Sequence, residues 1–151
     1  MKKFVEESLN EWKSTGGFKV SAGLVVIQDN KILLVHPTGS PWWKTYSIPK
    51  GHVDKKEDVL EAAIRETYEE TGIKIKKKHI ANGQHGFIDY DDNKGNVYKR
   101  VYYFVAYPKK PIDRTKFKPQ FEEVDWVGFV TKSEAQKRIF GRFKPLLNLL
   151  K

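Results

Sequence analysis

The sequence contains no cysteine and a single methionine. The first absence excludes disulfides and thiolate metal sites, and it fits a reducing compartment. No stretch approaches the roughly 18 apolar residues of a membrane span. Met1-Lys2-Lys3 is not followed by the apolar core of a secretory signal. These absences point to a cytoplasmic protein with no membrane partner. Acidic charge is also scarce: 28 Lys and Arg stand against 19 Asp and Glu, for a formal charge of +9. Such a field attracts phosphates, and nucleotides, nucleic acid or a merely solvated lysine surface all fit it. What is present is an ordinary globular mixture, 39% hydrophobic and 31% charged, rather than a disordered composition. A length of 151 residues suits one domain, long enough for a sizeable core.

Periodicity gives the order of elements. Phe4, Leu9 and Trp12 predict a short N-terminal helix over 2–14, broken by Gly16-Gly17. Residues 18–28 and 31–36 read as strands joined by the turn Asp29-Asn30. Residues 37–51 read as loop, with three prolines and two glycines. Leu60, Ala63, Ile64 and Thr67 form the stripe of a helix over 58–71, with Asp58 and Glu61 as a capping box and Gly72 as its stop. Strands follow at 86–91, 97–108 and 123–130, the first two joined by the turn at 92–96. Thr131 and Glu134 open a helix at 132–139, and the chain ends as helix with a break or new turn at Pro145. No repeat or linker is evident. The reading is one α/β domain over 1–151, a mixed β-sheet packed between helices, with an N-terminal extension to residue 17 and a helical segment from 132.

Within the best helix, Glu66, Glu69 and Glu70 share a face. Carboxylates so placed repel one another, and late in a helix they meet the negative end of its dipole. Arg65 is turned about 100° from Glu66 and is expected to serve one carboxylate, not all of them. A divalent cation would neutralise the group. With oxygen donors and no thiol, Mg²⁺ or Mn²⁺ fits. A solvated acidic face is the alternative.

The wider spacing narrows the choice. Gly51 is followed after five residues by Glu57, after seven more by Arg65-Glu66, then by Glu69-Glu70 and Gly72-Ile73. This resembles the Nudix box, Gly-x5-Glu-x7-Arg-Glu-U-x-Glu-Glu-x-Gly-U with U apolar; Thr67 at the first U position is the departure. The resemblance extends from about Phe18 to Val130. It implies an αβα sandwich and a metal-dependent hydrolase of nucleoside diphosphates linked to another moiety. It also implies that Glu66, Glu69 and Glu70 bind the metal, that the Lys50 carbonyl completes the shell, and that Arg65 and Glu57 orient the carboxylates. Gly51 gives the loop its close approach. Bound Mg²⁺ would neutralise diphosphate oxygens and acidify a water, whose proton a carboxylate takes. Candidates for that base are Glu69, Glu66 and, ahead of a Trp-containing strand, Glu122 or Glu123. One of that last pair could also join the metal.

Pro49-Lys50-Gly51-His52, together with the strand at 101–108, resembles the diadenosine polyphosphate hydrolase branch. Lys50, His52, Lys99 and Arg100 are candidate phosphate contacts. Tyr90, Tyr102, Tyr103 or an exposed Trp42 or Trp43 could stack on a base, although sheet core and loop packing also explain these aromatics. Alternation puts Tyr102 and Phe104 opposite Tyr103. The expected substrate is a dinucleoside polyphosphate. RNA 5′ pyrophosphate removal, ADP-ribose hydrolysis, nucleoside triphosphate cleavage and a non-catalytic nucleotide sensor are the alternatives.

Overall fold

The computed structural model describes residues 18–151, so the helix expected over 2–14 lies outside the described residues. Strands β1 (Lys19–Gln28) and β2 (Lys31–Pro37) form the expected hairpin. Asp29 and Asn30 both take positive φ, 53° and 56°, as a two-residue turn matched to strand twist requires. β1 is central. It runs parallel to β5 (Val97–Ala106), and its first half also pairs antiparallel with the short β3 (Lys50–His52). β4 (Ile80–Asp91) and β6 (Val124–Val130) complete a mixed sheet of order β4-β5-β1-β2-β6, with β3 off that path beside β1.

Alternation along β1 divides the interior. Ala22, Leu24 and Val26 pack with Tyr102, Phe104 and helix α1 (Val59–Thr71) on one face. Val25 and Ile27 pack on the other with Val101, Val105 and the C-terminal segment, through Ala135, Ile139 and Phe143. Helices on both faces of a mixed sheet are the expected αβα sandwich. Among the described residues no helix is long and apolar enough to cross a membrane.

Several boundaries differ from expectation. β3 overlaps the end of the loop predicted over 37–51; a strand of this length is too short to show a period. β4 begins at Ile80 rather than residue 86, because its irregular pairing between Ile80 and His85 accommodates Gly83 at φ 76°. Helix α2 spans Lys132–Arg138, with Thr131 accepting from the Glu134 amide. The last segment, Gly141–Leu149, winds as 3₁₀ turns through Pro145 rather than as α-helix. Proline denies an α-helix its hydrogen bond there, and the tighter turns still bury Phe143, Leu146 and Leu147.

Candidate active site

Asp58 caps α1 by accepting from the Glu61 amide at 3.2 Å, and Gly72 ends it at φ 80°. The buried stripe is Val59, Ala62, Ala63, Glu66, Thr67 and Glu70; Leu60 and Ile64 lie at its rim. Thr67, the departure from the apolar pattern, is fully buried, and its hydroxyl donates to the Ala63 carbonyl at 2.8 Å. The polar atom is therefore satisfied. Because the stripe includes Glu66 and Glu70, folding presses both against the sheet, where β3 meets α1.

Two backbone features make room for them. A Cβ on Gly51 would lie 2.1 Å from the Glu66 carboxyl carbon, so only glycine lets that carboxylate sit there. The next amide back, of Lys50, donates to Glu70 Oε1 at 2.8 Å. Strand β3 thus receives both carboxylates, one by lacking a side chain and one by its N–H.

Arg65 does more than the sequence suggested. Its Nε and Nη2 clasp Glu57 at 2.8 and 3.0 Å. Its Nη1 donates to Glu66 at 2.9 Å and to both oxygens of Glu69 at 3.1 Å. Nη2 also reaches the His52 carbonyl at 3.0 Å. The expectation that Arg65 serves one carboxylate is corrected. A helical wheel places the Cα, whereas the long stem and forked head let one guanidinium bridge several acceptors.

The electrostatics follow from this arrangement. The Arg65 hydrogen bond holds Glu57 below the usual carboxylate range, and Arg65 itself is pushed up by Glu57. Burial raises Glu66, opposed by Arg65. Burial raises Glu70 further, to about 8, against the pull of the Lys50 amide and charge. Lys50 is lowered to about 8 by its own burial and by the Lys99 charge. Glu70 is therefore a buried acid poised to hold a proton near neutrality.

The other candidates divide. Glu123 is exposed, yet its charge helps raise both Glu66 and Glu70; Glu122 is not among the charges that shift either. Lys50 and Lys99 lie together, with the Lys50 ammonium 5.9 Å from the Phe143 ring centre and that of Lys99 5.0 Å from Tyr90. Tyr90 is pushed up to about 12 by burial. It packs against Phe140 and Phe143, with Arg142 over its ring at 5.4 Å. Tyr103 shares the face of Lys99 but packs over Gly86 and into the core, opposite Tyr102 and Phe104 as alternation required. Arg100 is removed from the phosphate contacts. It points to the other face, bonded to Asp89 at 2.6 and 3.0 Å, with its guanidinium over Phe87 and Phe18. His52 is exposed. Trp42 stacks on buried His36 with ring centres 3.7 Å apart, whereas Trp43 is 67% exposed. The nearness of Phe143 to Lys50 and of Arg142 to Tyr90 was not read from the sequence. The only signal was the apolar run near the C-terminus, whose destination no local pattern states.

Among the described residues, no three His, Asp or Glu side chains already form a cation cage. Glu66 and Glu69 are turned onto Arg65, and Glu70 onto Lys50. The donor set still fits a hard cation. It offers carboxylate oxygens on one helix face, one of them a buried carboxyl that a bound cation would deprotonate.

A NUDIX domain profile matches residues 17–147. The chain belongs to the Nudix family. The match runs past residue 130 into the 3₁₀ segment that carries Phe143, farther than the sequence resemblance reached. Nudix hydrolases generally use divalent metal ions. This Nudix chain is 39% identical over 59 residues to a probable DHNTP pyrophosphohydrolase of Lactococcus lactis, covering 39% of this chain and 34% of that one. It is 35% identical over 80 residues to the asymmetrical bis(5′-nucleosyl)-tetraphosphatase of Rattus norvegicus, covering 53% of each. The matched stretches thus span about half or less of these relatives. Among solved structures, a C. elegans Ap4A hydrolase binary complex superposes with a TM-score of 0.67 at 28% identity, covering 86% of this chain and 93% of that one.

Proposed function

We propose that this Nudix chain hydrolyses a diphosphate linkage in a nucleoside diphosphate bound to another moiety, with Mg²⁺ (or Mn²⁺) as the cation. A dinucleoside polyphosphate such as diadenosine tetraphosphate is its preferred substrate. The observation that carries the reading is the Arg65 network. One guanidinium holds Glu57, Glu66 and Glu69 beside a buried Glu70, against a glycine that leaves room for Glu66.

In this reading Glu66, Glu69 and Glu70 hold the cation, with the Lys50 carbonyl. When bound, the cation neutralises the diphosphate and polarises phosphorus. Arg65 anchors the carboxylates through Glu57, which keeps their positions fixed. Lys50 and Lys99 receive the polyphosphate as point charges, and Tyr90 and Phe143 close the side of the site behind them. Glu123 takes the proton of the attacking water. It is exposed, near enough to feel Glu66 and Glu70, and outside the Arg65 clasp whose hydrogen bonds occupy oxygens of Glu66 and Glu69. Trp43, 67% exposed, supplies the ring that stacks on a base. The dinucleotide preference is supported by the likeness to the tetraphosphatase and the Ap4A hydrolase.

The test is a product assay with Mg²⁺ on diadenosine tetraphosphate, ADP-ribose, nucleoside triphosphates and 5′-triphosphorylated RNA. The expected result is the highest kcat/KM on diadenosine tetraphosphate. A clear preference for another member of the panel rejects the dinucleotide assignment and keeps the reaction class; no cleavage of any rejects the reading.

A further inference from the structure

A second charged feature lies away from the carboxylates. A cleft of about 750 Å³ opens between residues 72–79 and 108–116. Its walls carry Lys74, Lys76, Lys78, Lys109, Lys110 and Lys116 against one carboxylate, Asp113. Its floor is apolar, formed by Ile73, Ile75 and Ile112. The cleft is reached from the Gln28 end of β1, about 17 Å of strand from Gly23, where β3 and the candidate active site begin.

The chain holds these lysines together. The Gln28 amide donates to the carbonyls of Pro108 at 2.9 Å and Lys110 at 2.7 Å, and its oxygen accepts from the Ile112 amide at 3.0 Å. One side chain therefore fixes the second wall. The Tyr107 amide bonds the His79 carbonyl and the Lys118 amide bonds the Thr71 carbonyl, tying that wall to the first. Gly72 sits so close that a Cβ would lie 2.6 Å from the Lys116 carbonyl oxygen. Among the described residues, none of the six lining lysines lies within 4 Å of a carboxylate, although the Lys116 charge acts on Asp113 across the cleft; the close lysine ion pairs there belong to Lys77 and Lys137. Packed cations on a rigid frame raise the local potential, and Lys78 and Lys76 join burial in lowering His79.

Six lysines converge on one concave surface with a single carboxylate among them, which complements a polyanion. We propose that this cleft binds the sugar–phosphate backbone of single-stranded RNA, independently of sequence. Lysines on both walls suit a strand whose sugar–phosphate backbone runs between them. A bilayer is flat and meets only the rim of a concave cleft. Asp113 favours RNA over DNA: its Oδ1 caps the turn at 114–116 by accepting from the Thr115 amide at 2.9 Å and hydroxyl at 2.7 Å, and its second oxygen can accept from a ribose 2′-hydroxyl, whereas phosphate would only be repelled.

The experiment is fluorescence anisotropy with a labelled 12-mer of uridine, titrated at several salt concentrations. Lys74→Ala with Lys110→Ala removes one exposed cation from each wall. Lys137→Ala with Lys144→Ala removes the same charge elsewhere. The cleft pair is expected to weaken RNA binding and flatten the log affinity against log salt slope by about 1.4, at about 0.7 per lost phosphate contact. The control pair is expected to leave both unchanged, and cleavage of diadenosine tetraphosphate stays at the wild-type rate in all. Equal loss in the two pairs, no loss in the cleft pair, equal affinity for the DNA 12-mer, or tighter binding to anionic vesicles or polyglutamate would each overturn the proposal.

Discussion

Glu70 is where burial and charge compete most sharply. Its carboxyl titrates near 4.5 when exposed and about 8 when folded. Between those values the folded chain binds the extra proton, so metal-free protein loses stability as pH rises through that window. Lys50 acts above it. Its folded value, about 8, lies below the ordinary 10.5, so its penalty is relieved from pH 8 to 10.5. With a chelator present, Tm is predicted to fall between pH 5 and 8 in the wild type and to fall less in Glu70→Gln, whose amide mimics the protonated acid. An identical decline in both would remove Glu70 as the cause. Arg65→Lys tests the neighbouring network. It keeps the charge but loses the fork, and kcat is predicted to drop about 100-fold through misplaced carboxylates. Binding of the substrate should change little; an unchanged kcat would show that the fork does not position them.

At the scale of elements, α1 was legible because its signals agree: Asp58 as cap, a helical stripe, and Gly72 as stop. Gly72→Ala is predicted to destabilise by at least about 1–2 kcal/mol, from the left-handed backbone alone. The approach to Lys116 adds to that. A denaturant midpoint equal to the wild type would contradict this. The carboxylate cluster was legible for the same reason, as residues three and four apart must share a face. The reach of Arg65 was not, since a wheel carries no side-chain length. Nor was β3, whose existence depends on pairing with Ser21–Gly23 rather than on its own pattern. The C-terminal segment shows a similar limit. Its apolar residues announced burial, but only the fold places Phe143 beside Lys50. Arg100 and Lys99 were indistinguishable as cations in sequence, and the pleat alone sends one to Asp89 and the other toward Lys50.

Across the whole molecule, a net charge of +9 surrounds a site built of glutamates. The two are compatible if the positive field draws in a polyanionic substrate while the carboxylates gather its counter-cation. Added NaCl is therefore predicted to lower kcat/KM for diadenosine tetraphosphate while leaving kcat nearly constant, because screening acts on encounter. A kcat/KM independent of salt would separate the charge from catalysis.

In the proposed function, the carboxylates of α1 gather a divalent cation. The most direct measurement is Mn²⁺ affinity by electron paramagnetic resonance from pH 6 to 8.5, in the wild type and Glu70→Gln. Wild-type affinity is predicted to rise with pH up to about 8, as Glu70 gives up its proton. Glu70→Gln should bind at least about tenfold more weakly, with that pH dependence lost. Equal affinity and equal pH dependence in the two proteins would contradict it.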